Sequence, residues 1–191
     1  MNIPKLLLIK LFFSFFVVSC GSLPRSDPAI NNADFILEGR IGIRGLDRAT
    51  SASIRWVQSE NNFDMVLWGP LGQGKTRLSG DTSLMTLRTA DGGHVEGVVP
   101  NQILHKHLGI SAPIDAFSVW VLGRPTIHPL AQGLERDESG NVIAFNQLGF
   151  NLAYSDFRVV EGQRLPHRII CSEGATQITI LVNRWTLVLT Q

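Results

Sequence analysis

The sequence has little cysteine, no excess of charge of one sign and no apolar run long enough for a permanent membrane helix. Only Cys20 and Cys171 are present, and 17 lysines and arginines stand against 16 aspartates and glutamates. This balance excludes a basic field that would attract nucleic acid. The apolar residues between positions 6 and 18, interrupted by Lys10, fall short of the roughly 20 that a spanning helix needs.

The chain also lacks the patterns of common catalytic and metal sites. It contains no G-x-S-x-G nucleophile elbow. His105 and His107 would lie on different faces of a helix, which makes them a poor metal pair. We therefore expect neither an enzyme nor a metal site, and a hydrolase without a sequence motif is the open alternative. The acidic residues in patterns typical of turns, caps or exposed strand faces are Asp64, Asp81, Asp91 and Asp115.

Residues 1–19 are typical of a bacterial export signal, because Lys5 precedes a short apolar stretch that polar sequence soon follows. The segment 17–20 (VVSC) is similar to the lipobox of bacterial lipoproteins. We expect Cys20 to carry a thioether-linked diacylglycerol and an N-acyl chain, and we expect no other cofactor. More than one chain is needed, since a single acyl chain anchors a protein only marginally. The other interpretation is a plain secretory signal with an incidental cysteine.

The residues after Cys20 predict the location and the domain boundary. Gly21 stands where, in the proteobacterial sorting scheme that this pattern resembles, an aspartate would retain a lipoprotein in the inner membrane. The expected location is therefore the outer membrane, facing the periplasm. We predict a lipidated tether over residues 20–34 and a single domain over 35–191. Without the signal, 15 basic and 16 acidic side chains leave a net charge of −1.

Cys171 is then the one remaining thiol of an exported chain. An acylated Cys20 cannot pair with it, and a lone thiol in an oxidising compartment is usually buried. We predict that Cys171 is a small core residue.

Alternation of apolar and polar side chains predicts a mainly β domain. The strands are short and closely spaced, which favours an antiparallel sandwich or barrel over an alternating α/β fold. Gly80-Asp81 is typical of a hairpin turn. The predicted strands are 35–44, 52–56, 62–68, 76–79, 84–89, 142–146, 150–157, 165–172, 177–182 and 185–189.

Two helices are predicted between the strands. Pro100 can begin the first, which places Ile103, Leu104 and Leu108 on one side before Gly109. The second lies between Pro113 and Gly123. It is apolar on most of its surface, so we expect it to be covered on most sides.

Residues 69–76 (GPLGQGKT) match the phosphate-binding pattern G-x-x-x-x-G-K-[ST] at every specified position. A phosphate-binding loop must open onto a helix whose N-terminus faces the phosphates. Residues 76–89 instead have a period of two and contain Gly80. The pattern is therefore expected to be a coincidence within a hairpin, and no nucleotide is expected.

A series of short segments occurs in a particular order behind the lipobox. They are 35–44 (FILEGRIGIR), 53–56 (SIRW), 68–72 (WGPLG), 104–109 (LHKHLG), 112–114 (API), 120–125 (WVLGRP), 165–168 (LPHR) and 183–185 (NRW). The ordered series resembles the LolB family of outer-membrane lipoprotein receptors. Two departures are visible: residues 22–34 leave little room for the family's helix before the first strand, and Phe150 stands where the family often has tryptophan.

The resemblance implies an incompletely closed antiparallel β-barrel, with helices covering its opening and a hydrophobic cavity inside. It implies that the chain accepts lipoproteins from the periplasmic carrier LolA and releases them into the inner leaflet of the outer membrane without ATP. The expected partners are that carrier, acylated cargo and the membrane, with no nucleic acid, and the expected state is a monomer.

The residues Pro70, Leu71 and Gly72 match the family's exposed membrane-insertion loop. The resemblance therefore implies that Leu71 protrudes and enters the membrane. From the residues alone, the favoured alternative is that this leucine folds back onto the sheet.

Nine apolar residues are candidates for the lining of an acyl-chain cavity. For each one a role in a filled core is the other interpretation, because the inward face of a barrel has the same pattern filled or empty. The nine are Trp56, Met65, Leu67, Leu87, Ile103, Phe117, Trp120, Phe150 and Trp185.

Three functions therefore stay open at this point. The first is a lipoprotein receptor, which needs a cavity and an exposed Leu71 loop. The second is a lipid-anchored binding module for another amphiphile, such as a glycolipid, which needs only the cavity. The third is a structural outer-membrane lipoprotein with a filled core.

Overall fold

The computed structural model describes residues 34–45, 49–81, 83–97 and 113–188. The expectations for the signal, Cys20, most of the tether and the first helix with Ile103 lie outside these residues. The strands are β1 (Asp34–Arg44), β2 (Ala49–Ser59), β3 (Asn62–Trp68), β4 (Thr76–Gly80), β5 (Met85–Arg88), β6 (His94–Gly97), β7 (Gln132–Arg136), β8 (Val142–Gln147), β9 (Phe150–Val160), β10 (Gln163–Glu173) and β11 (Thr176–Val188). Within the described ranges, one α-helix, α1, spans Ile114–Trp120, and a single turn of 3-10 helix spans Pro70–Gly72.

The strands form one 11-stranded antiparallel sheet in the order β6-β5-β4-β3-β2-β1-β11-β10-β9-β8-β7. Successive strands are neighbours except β6 and β7, which lie at opposite edges of the sheet. The pairing of β1 with β11 joins the N-terminal and C-terminal parts of the sheet. Over the described ranges β6 and β7 each have a single neighbour, so this sheet is not closed. The antiparallel β prediction is confirmed, and a sandwich of two sheets is not formed by these strands.

The core lies on one face of this sheet, as strand alternation requires. Directly paired residues place large apolar side chains in a row across five strands, and all five of these side chains are buried. Such cross-strand contacts are the main source of side-chain stabilisation in a sheet. The row runs Leu37, Trp56, Met65, Leu78, Leu87 from β1 to β5.

Strand β11 corrects the prediction of two separate strands at 177–182 and 185–189. The register against β1 shifts between Glu38 and Gly39, where Glu38 pairs with Arg184 and Gly39 with Val182. A bulge of one extra residue on β11 keeps both Val182 and Trp185 on the buried face. This change of phase is what made one strand look like two.

The helix α1 follows Pro113, and the turn after it ends at Gly123, whose φ is +76°. The beginning agrees with the prediction, whereas the helix itself ends at Trp120 and only the turn after it reaches the predicted Gly123. Ile114, Phe117 and Trp120 are buried, which agrees with the expectation that this helix is covered on most sides. Trp120 packs on Phe150 of β9 with ring centroids 5.5 Å apart, so α1 lies against the core face of the sheet.

The strands β6 and β7 were not predicted. Their sequences, HVEG and QGLER, have no apolar alternation that would favour a strand. They exist because β5 and β8 offer unpaired backbone groups, and a short polar strand is a usual way to end a sheet. In the described part of the chain no helix is long and apolar enough to cross a membrane.

Candidate functional site

The connection between β3 and β4 is a tight, backbone-bonded loop. The Gly69 N–H donates to the Gln73 carbonyl at 2.8 Å, and the Gln73 N–H donates to the Pro70 carbonyl at 3.3 Å. A further bond from the Gly72 N–H to the Gly69 carbonyl measures 3.1 Å. These bonds hold the loop without any contribution from its side chains, which are therefore available for contacts elsewhere.

Leu71 is at the tip of this loop and points into solvent. Its backbone is left-handed, with φ +60° and ψ 19°, and its side chain is 96% exposed. A non-glycine residue in this conformation is uncommon. The structure thus confirms that Leu71 protrudes, and the alternative in which it folds back onto the sheet is wrong.

The phosphate-loop pattern does not have the geometry that its chemistry needs. Thr76 begins strand β4 instead of a helix, as the period of two predicted. The Thr76 hydroxyl donates to the Gly74 carbonyl at 3.3 Å, and Lys75 is exposed. Without a helix N-terminus at this point, the loop has no dipole to hold a phosphate.

The predicted cavity residues lie together on the core side of the sheet. Leu67 is partly buried, and Ile103 lies outside the described residues. Burial alone does not separate the lining of a cavity from a filled core, so the cavity assignment stays a prediction. The buried members are Trp56, Met65, Leu87, Phe117, Trp120, Phe150 and Trp185.

Two tryptophans of this set share one aromatic neighbour. Phe35 is 5.3 Å from Trp56 and 5.4 Å from Trp185 between ring centroids, and both contacts are edge-to-face. The Trp56 indole donates to Gln58 Oε1 at 3.1 Å, and the Trp185 indole donates to the Pro166 carbonyl at 3.0 Å. Each indole N–H is thus satisfied and the rings are fixed in orientation.

Buried glutamines were missed by the sequence analysis. Gln58 and Gln147 are buried and accept hydrogen bonds from tryptophan indoles. A glutamine in an alternating strand reads as a solvent-facing residue, so the sequence contains no local signal for this role. The nearest available signal was that Gln147 lies between the predicted strands 142–146 and 150–157.

Three further polar groups are buried on the C-terminal strands. Among the described residues, the Tyr154 hydroxyl and His167 Nε2 have no hydrogen-bond partner, while His167 Nδ1 lies 2.8 Å from the Val182 carbonyl oxygen. Burial raises the pKa of the Tyr154 phenol well above its ordinary value. Burial, with a smaller effect of Glu173, raises the pKa of the Cys171 thiol to about 12. Cys171 is thus the buried core residue that was predicted, and its thiol is a poor nucleophile.

Comparison with known families gives a match over most of the chain. A family model described as "Outer membrane lipoprotein LolB" matches residues 33–185. The outer-membrane lipoprotein LolB of Chromohalobacter salexigens is 30% identical over 151 residues, which cover 79% of this chain and 70% of that one. That of Alkalilimnicola ehrlichii is 26% identical over 193 residues, covering 95% and 96% of the two chains.

The solved structures add information on the fold alone. A DUF1329 family protein from Desulfovibrio piger superposes with a TM-score of 0.53 at 8% identity, over 84% of this chain and 88% of that one. The described sheet is therefore an arrangement that occurs in a crystal structure of very different sequence.

Proposed function

The chain belongs to the LolB family of outer-membrane lipoproteins, and we propose that it accepts acylated lipoproteins from a LolA-type periplasmic carrier and incorporates them into the outer membrane. Its location is the outer membrane, to which a lipid holds it. The protein transfers lipoproteins as a monomer, without ATP and without catalysing a reaction. The observation that carries the proposal is the exposed Leu71, since a family member of this function needs an apolar tip that reaches the bilayer.

The proposal includes a finer architecture than the open sheet. The 11-stranded sheet curls into an incompletely closed barrel, and helices including α1 cover its opening. Two observations support this: the core face carries rows of buried aromatic and aliphatic side chains, and Trp120 of α1 packs on Phe150 from that side. Acyl chains of the cargo would be held between these side chains.

The lipid anchor is proposed to be at Cys20, the residue at the end of the lipobox-like segment. Its several acyl chains would insert in the inner leaflet, facing the periplasm. The tether over 20–34 then allows the domain to reach both a carrier in solution and the membrane surface.

Handover needs no energy source because it follows differences in affinity. Burying acyl chains away from water contributes about 0.8 kcal/mol per CH₂, whether they are buried in a carrier, a receptor or a membrane. A carrier and a receptor that both shelter the chains therefore differ by a small net free energy, and exchange between them is reversible. Insertion of Leu71 would open a path along which the chains leave for the bilayer.

The glycolipid-binding alternative and the structural alternative both lose support. Neither alternative requires an exposed leucine at the loop tip. The relatives of this chain are described as outer-membrane lipoprotein LolB, which favours the receptor. No observation in the described residues favours either one.

The test uses residues 20–191 with Cys20→Ala, mixed with a LolA-type carrier loaded with an acylated lipoprotein. The measurement is which protein holds the lipoprotein after separation, and then how much enters added liposomes. We expect transfer to the chain, and a strong loss of delivery to liposomes with Leu71→Glu. Val159→Glu is the matched control, because Val159 is 67% exposed but lies near the opposite end of the strands. Absence of any transfer from the carrier contradicts the proposal.

A further inference from the structure

The segment between α1 and β7 exposes two large apolar side chains. Ile127 is 70% exposed and Leu130 is 79% exposed. Both lie within residues 124–131, which connect the turn after α1 to the first residue of β7. Most large apolar residues of the described chain are buried on the core face, so two neighbouring exceptions require an explanation.

The backbone that flanks Ile127 is held in place by one buried glutamine, so the exposure of these two side chains does not come from a lack of order in the loop. Gln147 is 3% exposed, and its side chain bonds to the backbone on both sides of Ile127. Its Oε1 accepts the Thr126 N–H at 2.9 Å, and its Nε2 donates to the Thr126 and Pro129 carbonyls at 2.9 and 2.6 Å. A loop fixed in this way presents Ile127 and Leu130 without an ordering cost when a partner binds.

The pairing of the strands places this segment at the same end of the sheet as Leu71. Gln132 pairs with Asn146 beside the β8–β9 turn, and Asn151 pairs with Ser172 beside the β10–β11 turn. Gln177 pairs with Arg44 at the end of β1. From there β2 leads to the end of β3 and so to the loop of Leu71.

The two loops also share a composition that suits a membrane surface. Residues 69–75 and 126–131 contain two prolines, three large aliphatic side chains and the cationic Lys75, but no carboxylate. Leu148, in the turn next to Gln147, adds a fourth large aliphatic side chain, which is 45% exposed. Apolar tips without acidic groups are complementary to acyl chains below a layer of phosphates.

We propose that Ile127 and Leu130 are a second membrane contact, which acts together with Leu71 on the lipid bilayer. The inference rests on the proposed function, in which Leu71 enters the membrane. One inserted side chain would leave the domain free to rotate about that point. Two contacts on opposite halves of the sheet restrict the domain to rotation about the line that joins them, so that both halves stay at the bilayer during release.

The test measures binding to vesicles of phosphatidylethanolamine with phosphatidylglycerol, using residues 20–191 with Cys20→Ala and co-sedimentation. We expect Ile127→Glu and Leu130→Glu each to weaken partitioning roughly tenfold, because each removes most of one buried aliphatic side chain from the membrane. The double variant Leu71→Glu, Ile127→Glu should lose about the product of the two factors. Val159→Glu, the exposed aliphatic residue near the opposite end, should leave partitioning unchanged.

The same variants are then measured on vesicles of phosphatidylcholine alone, which carry no net charge. A loss of binding that persists there is not caused by repulsion between the added glutamate and anionic lipids. If thermal unfolding shows that a glutamate variant is not folded, Ile127→Ser replaces it. Unchanged vesicle binding of the Ile127 and Leu130 variants overturns the inference.

Loss of transfer from the carrier, with vesicle binding intact, also overturns the inference and identifies this segment as a surface for the carrier protein. The proposed function fails separately, when Leu71→Glu has no effect on any vesicle or no lipoprotein leaves the carrier.

Discussion

The indole of Trp120 donates to Gln147 Oε1 at 2.7 Å, across 27 residues of sequence. This bond joins α1 to the end of β8, and the same glutamine holds the backbone at Thr126 and Pro129. One buried amide therefore positions both the helix on the core face and the loop that exposes Ile127 and Leu130.

Gln147→Leu should lower the free energy of unfolding by about 2–4 kcal/mol, because it leaves several buried donors and acceptors without a partner. Urea denaturation followed by tryptophan fluorescence measures the change. Gln132→Leu, at an exposed position at the start of β7, is the control and should change stability little. An equal effect of the two substitutions would contradict the role given to Gln147.

Gly39→Ala should destabilise the protein by about 3 kcal/mol or more, because a methyl group that overlaps backbone forces the strands apart. A Cβ at Gly39 would overlap the Leu181 carbonyl oxygen, at the bulge between β1 and β11. Gly42→Ala is a control in the same strand, since its Cβ would meet nothing closer than the Thr50 oxygen at 3.9 Å. Thermal unfolding of the two variants measures the difference, and similar melting temperatures would show that Gly39 is not required.

Tyr154→Phe should stabilise the protein by about 1 kcal/mol, since it keeps the ring and removes a buried hydroxyl that has no partner in the described part of the chain. The ring's stacking on Phe145, at 5.8 Å between centroids, is retained. Chemical denaturation measures the effect. A clear loss of stability would mean that the hydroxyl makes a bond in the folded protein that the structure does not contain.

The stability of the protein should fall as the pH rises above 9. The ordinary pKa of the thiol is 9.0, while burial raises the pKa of Cys171 in the folded state to about 12. Between these values the unfolded chain loses its proton and the folded chain keeps it, so ionisation favours unfolding. Cys171→Ala should lose stability less steeply over this range, although it is less stable at neutral pH. Urea denaturation at several pH values from 8 to 11 tests this, and equal slopes would contradict it.

The same burial should protect Cys171 from thiol reagents. We expect no reaction with a disulfide reagent under native conditions and stoichiometric reaction in denaturant, since the thiolate is the reactive form. Reaction of the native protein at the rate of a free thiol would show that this part of the core opens.

Much of the fold was accessible from the sequence because it depends on local rules. Alternation in β1, β2, β3 and β9 follows directly from one buried face, and Pro113 and Gly123 mark the ends of α1 and its turn. The protrusion of Leu71 was predicted from its resemblance to a family, whereas the residues alone left two alternatives. The bulge in β11 was not predictable. An extra residue shifts the alternation of apolar and polar side chains by one position, and in the sequence this looks the same as a break between two strands.

What the sequence by itself determined is the buried apolar face of the strands that it predicted, the beginning of the helix after Pro113, and the family to which the chain belongs. Only the tertiary structure decided the partners across strands. The pairing of β1 with β11 and the bonds of Gln147 join residues far apart in the chain. The edge strands β6 and β7 form because β5 and β8 offer them unpaired backbone groups. The physical reason is that a backbone or amide group takes any partner that folding brings within reach, so its partner is a property of the assembled sheet and not of the neighbouring residues.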